Sequence, residues 1–171
     1  MKTASAFFSF RPGLLSGLVL LLCLAPAGGR AQPSPLGNNL RSAATATRNQ
    51  ADIVTKSADN WSRRASSAGY NVNQFQQDFG NIQMQFQGLR EQFNWVASLS
   101  RQLGRTRADN AAAELDAGLS IIAELMTFLQ NEFNAGTLDR NTIVRTARAF
   151  EDAMRVWSRE FAKCSSRLGV A

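Results

Sequence analysis

Glu114, Asp116, Glu124, Glu132 and Glu160 are carboxylates in the second half of this chain that could bind a metal or work as a general acid–base pair. A di-metal site in a helical bundle also needs Glu-x-x-His pairs that point inward. The 171 residues contain no histidine, which removes the commonest metal ligand and the commonest general base. Haem would lack an axial His and a C-x-x-C-H attachment. Neither a phosphate-cradling G-x-x-x-x-G-K-[ST] nor a G-x-S-x-G nucleophile elbow occurs. The expectation is a protein that is not an enzyme and uses neither cofactor nor metal.

What remains is surface chemistry, and that depends on where the chain places its side chains. The stretch NIQMQFQG, residues 81–88, alternates apolar and polar like a half-buried strand, but the alternation breaks at Leu89-Arg90-Glu91. Steps of three and four residues run much further, through Val72, Phe75, Phe79, Ile82, Phe86, Leu89, Phe93, Val96, Ser100 and Leu103. That period predicts an amphipathic helix. Three more seams share it. The first is Leu40, Ala44, Thr47, Ala51, Val54, Ala58, Trp61, Ala65 and Ala68. The second is Ala108, Ala112, Leu115, Leu119, Ile122, Met126, Leu129 and Phe133. The third is Ile143, Ala147, Phe150, Met154, Trp157, Phe161, Cys164 and Leu168. No seam position carries a charge, and the five carboxylates above fall outside the seams.

Local signals punctuate the seams. Ser34-Pro35 suits an N-cap and first helical residue. Asn71 with Gln74 reads as a capping box. Gly69, Gly104 and Gly136 stop helices, Thr106 with Asp109 caps the third, and Thr137 or Asp139 starts the fourth. The predicted helices span 38–68, 71–103, 106–134 and 138–168. Short loops force antiparallel neighbours, so the expected fold is all-α: an antiparallel up-down-up-down four-helix bundle with coiled-coil-like seams. Helix one offers a row of Ala and helix two a row of Phe, which lets the two approach closely. Residues 108–139 hold six acids and no base; residues 140–167 hold seven bases and three acids. Helices three and four are therefore expected to set acid against base.

Two surface features follow from this threading. Arg41, Arg101, Arg105, Arg107, Arg159, Lys163 and Arg167 gather at one pole, a candidate site for anionic surfaces. Ile121, Leu125 and Phe128 form a second apolar stripe on helix three, with Met84 of helix two placed near the same level. That stripe is either the edge of a broad core face or a patch for a partner, a second copy or a lipid. Trp95 also falls outside the seams.

The front of the chain reads as an export leader. Lys2 and Arg11 precede an apolar run from Leu14 to Leu24, and Ala25-Pro26-Ala27 matches a small-residue cleavage pattern. Residues 1–27 are assigned as signal peptide, with a second cut possible after Ala31; residues 28–37 are a short linker. Cys23 would leave with the leader, and Cys164 would remain as the one thiol. Its place on the seam predicts a small buried hydrophobe, with pairing to a second chain as the alternative. The formal charge of +6 falls to +4 without Lys2 and Arg11, and to +3 without Arg30. That is too mild to imply nucleic acid.

The reading is a secreted or periplasmic, non-catalytic bundle without a transmembrane anchor in its mature form. It would bind or scaffold a protein or envelope component, form a homodimer, or engage an anionic surface. The alternative is a carrier of small apolar ligands, or an envelope chaperone using the stripe on helix three.

Overall fold

The structure, a computed structural model, describes residues 34–170. The leader at 1–27, the possible cut after Ala31, Cys23 and most of the linker lie outside the described residues. Four helices follow one another: α1 (Pro35–Ser66), α2 (Val72–Arg101), α3 (Thr106–Asn134) and α4 (Arg140–Cys164). None of the described residues forms a strand, so the helical period wins over the alternation at 81–88. Each of α1 and α3 packs against both α2 and α4, as expected of an up-down-up-down square.

Local chemistry accounts for most helix ends. Ser34 Oγ accepts from Gly37 N–H at 3.1 Å, with Pro35 leading α1. α1 therefore starts inside the segment assigned as linker. Asn71 and Gln74 form the reciprocal box: Asn71 Oδ1 accepts from Gln74 N–H at 3.1 Å, and Gln74 Oε1 accepts from Asn71 N–H at 2.9 Å. Asp139 Oδ1 accepts from Thr142 N–H at 2.6 Å, and that bond holds its carboxyl below the usual aspartate range. Three expectations are corrected. Thr106 does not cap α3: it is the first helical residue, after an extended Arg105 that gives no side-chain cap. Ala68 is exposed, because the chain leaves α1 at Ser66 and turns. Val72 is exposed too, one turn before the seam of α2 goes inside at Phe75.

The remaining seam positions face inward, with Leu103 and Phe133 half-buried where their helices run out. The row of Ala44, Ala51, Ala58 and Ala65 lets α2 and α4 close on α1, and these are the tighter helix pairs. Aromatic rings fill the interior in two groups. Trp61 meets Phe75, Phe79 and Phe150 at ring separations of 6.1–6.4 Å. Trp157 stacks on Phe161 at 5.2 Å and meets the edge of Phe93 at 5.7 Å. Phe86 against Phe150 extends the first group along α2. Such pairs add roughly 0.5–1.5 kcal/mol beyond the area they bury.

The charges pair differently from the sequence expectation. Among the described residues no ion pair joins α3 to α4 itself; Arg167, in the tail after α4, pairs with Glu114 of α3. Two bases of α4 turn toward α1 and the turn after it instead: Arg155 reaches Asp59, and Arg140 donates to the carbonyls of Ser66 and Ser67. The carboxylates of α3 are thus left largely on the outside.

A polar chain clasps the α1–α2 turn. Trp61 Nε1–H donates to Tyr70 Oη at 3.0 Å, Tyr70 O–H donates to Asp78 Oδ2 at 3.2 Å, and Arg64 donates to Asp78 Oδ1 at 2.7 Å. Burial and the Asp78 charge push the Tyr70 phenol well above the ordinary tyrosine range. Tyr70→Phe would leave the buried indole N–H without a partner, a loss of roughly 1–3 kcal/mol, read as a lower urea midpoint. The raised phenol favours the protonated folded state, so its contribution is intact below about pH 10 and declines as pH rises beyond it. In Tyr70→Phe that alkaline decline should shrink; an unchanged alkaline profile would contradict the assignment.

Candidate functional site

The α3–α4 pair holds the apolar groove. On α3, Glu114, Gly118, Ile121, Leu125 and Phe128 recur at three- and four-residue steps on the flank beside the seam, one above another. On α4, Ala153, Val156 and Glu160 form the matching flank. Leu115, Ile122 and Trp157 make the floor of a groove of about 290 Å³, and Ile121 and Val156 stand at its edges. Ile121 is 59% exposed and Val156 57% exposed. Phe128, two turns further along α3, is 47% exposed, whereas Leu125 is half-buried.

Gly118 makes this geometry possible. A Cβ there would lie 2.9 Å from Trp157 Cδ1, so only a bare Cα lets the indole lie against α3. Trp157 Nε1–H then donates to the Leu115 carbonyl at 2.8 Å. That bond borrows an acceptor from the helical ladder and locks the floor of the groove.

The structure does not bring Met84 to this groove. Met84 is 67% exposed on α2, and no α2 residue lines the groove. α2 meets α3 along Gln83, Gln87 and Arg90 beside Ala123 and Thr127, and Met84, about 100° per residue further round, points outward. Trp95 is also exposed on α2. The stripe therefore belongs with α4. Its partners Gly118, Ala153 and Val156 went unread because Gly118 and Ala153 have little side chain, and Val156 stands alone on its flank.

Segments that carry several of the basic residues meet at one end of the bundle. Ser100 Oγ–H donates to the Leu168 carbonyl at 2.5 Å, and Gly169 lies against Leu40 and Leu103. These contacts tie the start of α1, the end of α2 and the tail after α4 together. Arg41, Arg101, Arg105, Arg107 and Arg159 form no ion pair among the described residues. Lys163 is bound to Glu160 and Arg167 to Glu114. Arg101 also borders a cleft lined by Asp109 and Asp116, which lowers the local potential. Cys164 is buried, and its sulfur accepts from the Arg167 guanidinium at 2.7 Å.

Among the described residues no three His, Cys, Asp or Glu side chains are grouped to hold a metal ion, and no helix is long and apolar enough to cross a membrane.

Gly118→Ala gains helix propensity but forces Trp157 out of its bed; overpacking outweighs propensity, for a net loss of roughly 1–2 kcal/mol. Gly80 has open space where its Cβ would be, so Gly80→Ala should gain roughly 0.5–1 kcal/mol. Urea denaturation of both separates them; a stabilised Gly118→Ala would mean that the indole does not rest on that backbone. Comparison with protein-family models, with curated proteins and with solved structures finds no match for this chain.

Proposed function

We propose that this chain is an exported, non-catalytic helical-bundle module that binds or scaffolds other components of the cell envelope or the extracellular space. The apolar groove between α3 and α4 carries this reading. The bundle interior is filled by aromatic rings, whereas Ile121 and Val156 leave apolar area in water beside a floor that Trp157 keeps rigid. Apolar area that a fold leaves open beside charged rims is the usual mark of a binding surface. The leader-like residues 1–27 support a place outside the cytoplasm.

The filled core weighs against a carrier that encloses its ligand. An acyl chain would have only the open groove, and a ligand bound there would raise the melting midpoint in proportion to its affinity. A fatty acid that raises the midpoint of the wild type, and not of Val156→Asp, would replace the scaffold reading with the carrier one. The reading also predicts an export product that starts at Gly28 or Gln32. N-terminal sequencing of the protein from its native source checks this, and an uncleaved cytoplasmic chain would refute the export half.

A second reading has its own observation: five arginines at one pole that form no ion pair among the described residues. In this reading the pole rests on anionic phosphate or sugar surfaces. Arg101, Arg105 and Arg107 changed together to Gln should weaken binding to anionic vesicles by roughly tenfold or more at low salt, and added salt should weaken the wild type likewise. Equal binding by the triple variant would remove the pole from consideration.

A further inference from the structure

We propose that the partner of the α3–α4 face is a second copy of this chain, related by a two-fold axis that runs parallel to the helices. The proposal rests on the reading of this face as a binding surface, and adds its occupant and geometry.

Charge selects the occupant. Residues 108–139 carry six acids and no base, while residues 140–167 carry seven bases and three acids. Within one bundle these two segments share a single ion pair, Arg167 with Glu114; Arg140 and Arg155 turn to α1, whereas the exposed Arg145 and Arg159 form no ion pair among the described residues, so part of the complementarity is unused. Isologous packing of the face on itself has two simple solutions. An axis perpendicular to the helices lays α3 on α3 and α4 on α4, which opposes acid to acid and base to base. An axis parallel to the helices lays α3 of one protomer on α4 of its partner, acid on base. Like-charge juxtaposition is costly and opposite charge steers encounter, so the parallel axis is favoured.

Shape agrees with charge. Gly118 faces Trp157 across the groove. Moving along these antiparallel helices at 1.5 Å per residue, Ile121 comes level with Met154 and Phe128 with Ala147; the residues of the outer α4 flank nearest those levels are Ala153 and Ala149. α3 presents large exposed side chains at those two levels, whereas α4 presents alanine. Under the parallel axis Ile121 and Phe128 of one protomer meet the small flank of its partner, and the reciprocal contacts form at the same time. Under the perpendicular axis large would meet large.

The test is sedimentation velocity over a concentration series on the exported chain. Wild type is expected at the mass of two chains, dissociating as salt rises. Val156→Asp and Ile121→Glu, both at exposed positions and with unchanged circular dichroism, should each shift the particle to the mass of one chain. Met84→Asp, on the outside of α2, should remain at two. A wild type that stays monomeric at the highest concentration, or a dimer that survives both substitutions, would overturn the proposal. So would a dimer that tightens with salt, since that marks like charges face to face. If the wild type is monomeric but captures an envelope protein through the groove, the second copy is excluded while the scaffold reading stands.

Discussion

The alanine row along α1 sets the dimensions of this bundle. Four small side chains in register let α2 and α4 come close to α1, and Trp61, Phe75, Phe79 and Phe150 fill the space around them. α3 starts small, with Ala108 and Ala112, and then turns large. Its seam carries Leu115, Leu119, Ile122, Met126 and Leu129, which meet the aromatic rows of α2 and α4 at full width. Large against large holds helices apart, and α3 accordingly makes the looser pairs. The groove beside α4 is the outer edge of that separation.

Two devices keep the looser side ordered. The Gly118 backbone receives the Trp157 indole, and the indole N–H finds the Leu115 carbonyl. At the opposite corner, the Trp61–Tyr70–Asp78–Arg64 chain satisfies a second buried indole and ties the α1–α2 turn. Trp61 and Trp157 therefore each bury the ring with its one polar atom paired, which a filled core requires. With the interior closed in this way, what the molecule can recognise is confined to its faces and poles.

Electrostatics acts on the outside. Exposed pairs such as Arg167–Glu114 contribute little individually, typically ~0–1 kcal/mol, so they do not set the fold. Their distribution still matters. Because Arg155 and Arg140 turn to α1, Glu114 at the rim of the groove is the α3 carboxylate that finds an arginine, Arg167 of the tail. Arg41, Arg105 and Arg107 are exposed near the end where the start of α1, the end of α2 and the C-terminal tail meet.

The number of helices, their order and the buried face of each were legible in the residues, because the burial pattern of an amphipathic helix is a local, periodic property. Asn71–Gln74, Ser34–Pro35 and Asp139 were legible for the same reason: a cap is made within four residues. The errors cluster at ends. Ala68 and Val72 keep the period, yet the helix has already stopped or only just begun, and Thr106 would cap only if the backbone before it turned one residue later. The groove was half legible: Ile121, Leu125 and Phe128 stood out as a stripe, but whether it is buried depends on the distance between two helices. That distance comes from the sizes of side chains on three other elements, and from one glycine that accepts a ring forty residues away in sequence. Period is written along one helix; separation between helices is decided only when all four are packed.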